Sequence, residues 1–206
     1  MAVAHSVRMR FPILFAALLF AACTTEADGA TGADETDGAG GAASATDTAP
    51  FVATTATGAG WSNDAVPPQA GVFHIVFALV PEEQSGAPID AVVGLSSGPA
   101  KAFTDLGPIV RFSPAGTLDV RDGSTYASDV PYAYKIGETY QIRMDVDLKR
   151  HLYSVLVEEN GGRATQLARD YTFRTEQATV AKLNNAARFT DSASGSLEQI
   201  AFDVAP

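Results

Sequence analysis

The sequence contains one cysteine, Cys23, and only three histidines among its 206 residues. A lone cysteine cannot form a disulfide within the chain, so a folded domain must be stabilised by an ordinary hydrophobic core. Scattered histidines without a second thiol exclude the usual ligand sets of structural zinc. We therefore expect neither a disulfide framework nor a bound metal or other cofactor.

Basic residues are also scarce. The chain has 14 lysines and arginines against 24 aspartates and glutamates, which gives a formal net charge of −10. Nucleic-acid binding depends on cationic groups that neutralise phosphates, so this balance argues against a nucleic-acid partner. It equally argues against electrostatic attachment of the chain to anionic lipid.

The most apolar stretch lies near the N-terminus, where Arg8 and Arg10 precede Phe11–Ala22. A positive segment followed by a short apolar segment is the layout of a secretory signal. The apolar part is shorter than the roughly 20 residues that a membrane-spanning helix needs. The segment therefore predicts export of the protein and no permanent transmembrane anchor.

The segment Leu19–Cys23 resembles a lipobox, although Phe20 replaces the usual leucine. The resemblance implies that residues 1–22 are a lipoprotein signal peptide and that lipid is attached to the thiol of Cys23. The alternative is an ordinary cleaved signal followed by a chance cysteine. Thr24, rather than aspartate, follows the cysteine, and by resemblance to sorting rules this favours anchoring in the outer membrane.

A segment of low complexity follows, because residues 24–50 contain only small or acidic side chains and one proline. Such a segment cannot bury enough apolar surface to offset the entropy lost on ordering. Residues 23–50 are therefore predicted to be a disordered, lipid-anchored tether. The folded domain is expected to cover residues 51–206.

The sequence pattern of the domain is typical of an all-β fold. Short runs rich in β-branched and aromatic residues end at turn residues, and Asp122–Gly123 is a strong signal for a tight turn. Only Glu176 to Ala187 suggests a helix, and this segment lacks a clean 3.6-residue period. The predicted strands cover residues 71–80, 91–95, 108–112, 117–121, 140–148, 152–157, 171–174 and 197–204.

Residues 140–148 show the clearest alternation, with apolar side chains at every second position and polar ones between them. Together with Gly137–Tyr140 and Tyr153–Val157, this strand resembles the central hairpin of concanavalin A-like, laminin-G-like jelly rolls. The resemblance implies a two-sheet antiparallel jelly-roll sandwich, with Ile89–Ser96 as an inner strand and Gln199–Val204 as an edge strand. It implies no catalytic site.

Two catalytic chemistries of jelly rolls match the sequence poorly. Glucanases of this kind need paired glutamates on one strand face, whereas Met144–Leu148 holds aspartates and no glutamate. Tyr132–Tyr140 and Phe173–Glu176 are similar to segments of alginate-lyase-like jelly rolls, but in reversed order and without the Gln-x-His triplet. A divergent polysaccharide lyase is therefore the third hypothesis for this chain.

Polar side chains that alternate away from the predicted core are the candidates for a binding face, and Tyr126 and Tyr134 are candidate stacking rings near them. If they gather on one open sheet face, with Trp61 nearby, they form a groove suited to carbohydrate. The alternative for each residue is a cross-strand ion pair that only covers the sheet. Asn184 and Asn185 either contact a loop or shape a turn. The candidate ligand-binding residues are Arg111, Tyr126, Tyr134, Gln141, Arg143, Arg174 and Glu176.

The leading hypothesis is a surface-tethered lipoprotein whose non-catalytic jelly roll binds a glycan or another extracellular polymer. The second is a structural or adhesive envelope module that works through protein contacts. In either case we expect a monomer that reaches the membrane through the lipid at Cys23. Asp119, Asp122 and Thr125 offer oxygens to calcium, but a turn at Asp122 explains them more simply.

Lipid attachment predicts the behaviour of one variant. Cys23→Ser removes the only thiol in the chain, so we expect it to abolish incorporation of labelled fatty acid and to leave the precursor uncleaved. Metabolic labelling and the mass of the exported protein measure both effects. Release of a normally processed soluble product from the variant contradicts the lipobox interpretation and favours the ordinary signal.

Overall fold

The computed structural model describes residues 59–191 and 195–205. The signal peptide, the tether and Cys23 lie outside these residues, and their assignments remain predictions. Within the described ranges, no helix has the length and apolar character needed to cross a membrane. The strands are β1 (Gly60–Gln69), β2 (Val72–Glu82), β3 (Ala91–Ser96), β4 (Leu106–Phe112), β5 (Leu118–Asp122), β6 (Thr125–Ala127), β7 (Tyr140–Asp147), β8 (Leu152–Glu159), β9 (Thr165–Thr172), β10 (Leu183–Thr190) and β11 (Ser196–Ala205).

These strands form two antiparallel sheets. The six-stranded sheet has the order β1-β10-β3-β4-β5-β6, and the five-stranded sheet has the order β11-β2-β7-β8-β9. The predicted all-β, two-sheet jelly-roll sandwich of the concanavalin A-like type is therefore confirmed. Its inner strand at Ile89–Ser96 corresponds to β3, and its edge strand at Gln199–Val204 corresponds to β11.

The core between the sheets follows from the alternation along each strand. On β7, Tyr140, Ile142 and Met144 are fully buried and face the six-stranded sheet, whereas Gln141 and Arg143 are exposed on the opposite side. Side chains of a strand point to opposite faces in turn, so one face can be apolar while the other stays solvated. The predicted core face of this strand is confirmed.

The helical prediction for Glu176 to Ala187 is wrong. A short 3₁₀ turn, Thr175–Gln177, is followed by β10, which lies inside the six-stranded sheet between β1 and β3. Ala186, Ala187 and Arg188 are all buried, although successive side chains of a strand point to opposite faces. A strand covered on both faces shows no polar alternation, so its sequence carries no period-two signal.

Three further strands differ from the sequence prediction, and one of them is the three-residue β6, which has no predicted counterpart. β1 has no predicted counterpart, because Pro67 and Pro68 interrupt its pattern; prolines are tolerated there since β1 is an edge strand. β9 begins at Thr165 and ends at Thr172, earlier than the predicted strand 171–174. The turn at Asp122–Gly123 is confirmed between β5 and β6, and Gly123 adopts a positive φ of 54° there.

A second, smaller apolar cluster lies on the outer face of the six-stranded sheet. Its fully buried members are Val92, Ala100, Leu106, Ile109 and Ala187. The segment 97–105, which contains the 3₁₀ turn Phe103–Asp105, supplies Ala100 to this cluster. The middle of the six-stranded sheet is thus covered on both faces, and side chains at the border of the cluster are partly open to solvent.

The hydroxyl of Tyr153 links the two sheets across the core. Tyr153 belongs to β8, and its oxygen accepts the backbone N–H of Ile109 at 3.2 Å and lies 3.0 Å from the carbonyl of the same residue. It also contacts the carbonyl of Arg121. The pairing of β4 with β5 ends at Val110 and Val120, and beyond these residues the two strands separate. The hydroxyl satisfies backbone groups at this point of separation.

The tyrosine hydroxyl generates a stability prediction. Tyr153→Phe leaves buried backbone groups of Ile109 and Arg121 without a partner, so we expect the free energy of unfolding to fall by about 1–3 kcal/mol. Chemical denaturation measures this change. The matched control is Tyr171→Phe, which removes a hydroxyl bonded to Asp129 at the surface and should change stability little. Equal effects of the two variants contradict the proposed role of Tyr153.

Candidate functional site

The outer face of the six-stranded sheet carries a row of side chains that are in register across five strands. Trp61 on β1 is opposite Phe189 on β10, and Phe189 is opposite Val92 on β3. Val92 pairs with Arg111 on β4, and Arg111 pairs with Asp119 on β5. The row therefore changes from aromatic at the β1 end to charged at the β5 end.

Arg111 is fixed in the row by Asp90. Its Nε donates to Oδ1 of Asp90 at 2.9 Å, and its Nη2 donates to Oδ2 at 2.8 Å. This bidentate contact holds the planar guanidinium in one orientation and raises the pKa of Arg111 above its usual value. Both side chains remain partly exposed, at 28% and 34%, so the pair is accessible to a ligand.

Tyr126 on β6 lies beside two guanidinium groups. The central carbon of Arg121 is 5.0 Å from the ring centroid, and that of Arg111 is 5.4 Å from it. Such cation–π contacts orient both arginines along the ring. Burial raises the pKa of Tyr126, so the phenol remains protonated at neutral pH. Arg121 also donates from Nε to the carbonyl of Gly123 at 2.9 Å.

Arg174 approaches the same area from the chain that follows β9. Its backbone N–H donates to the carbonyl of Gly107 on β4 at 3.1 Å, and this bond places the side chain beside the cluster. Its Nε lies 3.0 Å from Oε2 of Glu176 without hydrogen-bond geometry, so the contact is an ion pair. The pKa of Glu176 is lowered, first by its own backbone amide and further by the charge of Arg174.

These side chains enclose a shallow cleft of about 200 Å³. Three arginines lie around it, namely Arg111, Arg121 and Arg174. Three carboxylates, those of Asp90, Asp119 and Glu176, balance their charge. The cleft can therefore donate and accept hydrogen bonds without carrying a large net charge. The residues that line it are Asp90, Val92, Phe103, Arg111, Tyr126 and Arg174.

Phe103 reaches the cleft from the segment 97–105, which side chains of neighbouring elements hold in place. Asn63 on β1 makes two hydrogen bonds to the backbone of Ala100, at 2.7 and 3.1 Å. Asn184 on β10 accepts the N–H of Gly98 at 2.6 Å, and Gln177 donates to the carbonyl of Thr104 at 2.7 Å. Asn184 thus contacts a loop, as one of the two sequence interpretations expected.

The structure brings together four of the predicted site residues. Arg111, Tyr126 and Arg174 line the cleft, and Glu176 pairs with Arg174. Trp61, considered as a further ring, lies in the same register row. Alternation away from apolar neighbours indicates Arg111, Arg174 and Glu176 in the sequence, whereas Tyr126 and Trp61 are candidates only as aromatic rings.

Gln141 and Arg143 do not join that cluster, because β7 belongs to the five-stranded sheet and they point away from the core. The condition that the candidate residues gather on one open sheet face is therefore met only in part, because Arg143 lies on the other sheet from Arg111. Gln141 and Arg143 line a separate groove of about 320 Å³ on the other side of the sandwich. This groove is larger than the cleft, but no aromatic side chain lines it, and Arg143 is paired with Asp145 on its own strand at 2.7 Å.

Tyr134 is buried in the core rather than on an open face. Its hydroxyl accepts the N–H of Ile89 at 2.8 Å and lies within hydrogen-bond distance of the carbonyls of Ile89 and Ser113. Burial raises the pKa of Tyr134 to about 12. Tyr134, the tyrosine of the segment that is similar to alginate-lyase-like jelly rolls, therefore does not line the cleft that Arg174 lines.

Sequence reasoning missed Asp90, Phe103 and Arg121. Arg121 follows Asp119 by two positions on β5, so its alternation was a usable signal. Phe103 lies in a connecting segment, where no periodicity indicates the direction of a side chain. Asp90 precedes β3 and becomes a partner of Arg111 only through strand pairing.

Among the described residues, no three His, Cys, Asp or Glu side chains are placed to hold a metal ion. The oxygens considered for calcium have other partners. Asp122 accepts the N–H and the hydroxyl of Thr172, at 2.9 and 2.7 Å, and Thr125 donates to the carbonyl of Asp122 at 3.3 Å. The bond from Thr125 closes the turn between β5 and β6, whereas the two bonds from Thr172 link this turn to the end of β9.

No protein-family model matches the chain, and no curated protein matches its sequence. Solved structures with a similar fold include a galectin from Caenorhabditis elegans, which is 16% identical over 76% of this chain and 95% of its own, with a TM-score of 0.44. Peanut lectin is 12% identical over 73% of this chain and 82% of its own, with a TM-score of 0.48. A sialidase is 12% identical over 73% of this chain, which spans only 14% of that enzyme, with a TM-score of 0.45.

The anchoring of the segment 97–105 generates a local prediction. Asn63→Ala removes both side-chain bonds to Ala100 and also the acceptor of a bond from the buried Asn185 side chain. We therefore expect faster hydrogen exchange at the amide of Ala100, which reports the loss of the anchor, and a stability loss of at least about 1 kcal/mol from all three bonds. Gln69→Ala is the control, because Gln69 lies on the same strand and its side chain bonds only to Pro67. An unchanged Ala100 exchange rate in Asn63→Ala contradicts this anchoring.

Proposed function

We propose that this protein is an envelope lipoprotein whose jelly roll binds carbohydrate without chemical conversion. The observation that carries the proposal is the convergence of Arg111, Arg174 and the ring of Tyr126 on one accessible cleft. Planar guanidinium groups and aromatic rings are the side chains that a saccharide needs, since its hydroxyls require fixed hydrogen-bond partners and its ring faces are apolar.

The balance of charges around the cleft favours an uncharged saccharide. Arg111 is neutralised by Asp90 and Arg174 by Glu176, while Asp119 faces Arg111 across the strands. A hydroxyl both donates and accepts hydrogen bonds, so it can contact a guanidinium and a neighbouring carboxylate together. The carboxylate group of a uronate offers only acceptors, and its charge is repelled by the carboxylates of the cleft.

Tethering forms the second part of the proposal. A lipid on Cys23 and the small, acidic residues that follow it place the binding domain at a distance from the membrane surface. We propose the outer membrane as the site of anchoring, on the basis of Thr24. A polymer bound by a tethered module is then held at the cell surface rather than released.

A structural or adhesive module that contacts proteins is the second candidate function. The groove on the five-stranded sheet favours it, because Val76 and Leu156 are only partly buried there beside Arg143 and Glu158. Partly exposed apolar side chains flanked by charges are typical of protein contacts. This candidate predicts that substitutions in the cleft leave partner binding unchanged.

Substitution of Arg111 in the cleft tests the proposed carbohydrate site. On an array of neutral and acidic glycans, wild type should retain neutral saccharides in preference to uronate-containing ones. Arg111→Ala removes charge-assisted hydrogen bonds, so we expect roughly ten- to hundredfold weaker binding. Arg111→Lys should restore little of it, because an ammonium group lacks the planar fork that pairs with Asp90.

The control is Arg143→Ala, which removes an exposed arginine on the other sheet and should bind as wild type. Thermal denaturation must show that the Arg111 variants remain folded. Retention of glycans by Arg111→Ala at wild-type strength contradicts the proposed site. Loss of retention in Arg143→Ala alone moves the site to the five-stranded sheet.

A further inference from the structure

Three aromatic rings form a separate cluster at the β1 end of the outer face. The rings of Trp61 and Phe103 are 5.4 Å apart, those of Trp61 and Phe189 are 5.2 Å apart, and those of Phe103 and Phe189 are 5.0 Å apart. Phe103 packs edge-on against Phe189 at 78°. The charged contacts of the proposed sugar site do not use this cluster.

Phe103 is open to solvent although it is held in place. It is 41% exposed, and the hydrogen bonds from Asn63, Asn184 and Gln177 fix the segment that carries it. Asp105 adds two further bonds to the backbone of the same segment, from Lys101 and Ala102. An apolar ring presented to water on a fixed segment is ready to contact a ligand, because little entropy is lost when the ligand binds.

The cluster is continuous with the proposed sugar site. Phe103 itself lines the cleft together with Arg111 and Tyr126. The register row places Trp61 four strand spacings from Asp119. At about 4.8 Å for each spacing, the two ends of the row are roughly 19 Å apart. A single sugar ring is too short to contact both ends.

We infer that Trp61 and Phe103 form an aromatic subsite for a second region of the ligand, so that the protein selects a linear saccharide of several residues lying across the strands. This inference rests on the proposed function, and it adds the class of ligand. The polar cleft holds one sugar residue through its hydroxyls. The aromatic subsite binds the apolar ring face of a residue further along the chain.

Chain length is the variable that tests the inference. Linear β-1,4-linked gluco-, manno- and xylo-oligosaccharides of two to six residues are titrated against the folded domain by calorimetry. For the series that binds, wild type should bind the hexasaccharide more tightly than the disaccharide. Trp61 belongs to the aromatic subsite but does not line the cleft. Trp61→Ala should therefore lower affinity for the hexasaccharide by roughly two- to tenfold and leave the disaccharide unchanged.

Matched variants separate ring stacking from apolar contact in general. Trp61→Phe keeps a ring and should keep the dependence on length, whereas Trp61→Leu should lose most of it. Val130→Ala is the control, because Val130 is an apolar side chain with an exposed fraction of 39% that does not belong to the cluster. Thermal denaturation confirms that each variant is folded.

Trp61 provides an independent readout, because it is the only tryptophan in the chain. Its ring lies 5.4 Å from that of Phe103, so a hexasaccharide over the subsite should shift its emission, and a disaccharide held in the cleft should not. If no oligosaccharide or arrayed glycan binds, the proposed function fails and the inference fails with it. If they bind without dependence on length, or if Trp61→Ala weakens short and long ligands equally, the inference alone is wrong.

Discussion

The hydroxyl of Tyr153 lies where β4 and β5 separate, and the placement of Arg111 and Arg121 on the outer face of these strands depends on it. It supplies hydrogen bonds to Ile109 and Arg121, whose backbone groups are buried and have no ladder partner at this step. Burial raises the pKa of Tyr153 far above its usual value, so the hydroxyl stays neutral. Because Tyr153 belongs to the opposite sheet, the geometry of the outer face is determined by packing across the core.

The six-stranded sheet has apolar side chains on both of its faces, and this arrangement determines where a cleft can form. Towards the core the sheet packs against the five-stranded sheet, and on the outside Val92 and Ile109 are covered by the segment 97–105. Beyond that segment the outer face is open, and its residues are charged. The cleft lies at this border, where Phe103 and Tyr126 keep part of their rings in solvent.

Period-two alternation explains what could be predicted from the sequence. It identified the core face of β7, which has one solvated face, and the outward direction of Arg111, which is the one residue of β4 that is not buried. Alternation does not reveal which sheet a strand joins, so Arg143 was grouped with Arg111 although the two lie on opposite sides of the sandwich. It also fails for β10, which is buried on both faces, and for Phe103, which lies between strands.

The sequence allows two roles for the arginines that point away from the core: each one either forms a structural ion pair or binds a ligand. The structure makes them compatible. Arg111 uses Nε and Nη2 on Asp90, which fixes the guanidinium plane before any ligand arrives. An unpaired arginine would lose its rotamer freedom on binding, at a cost in affinity. Under the proposed function, the ion pair is what makes Arg111 a rigid donor, and the partner carboxylate adds an acceptor beside it.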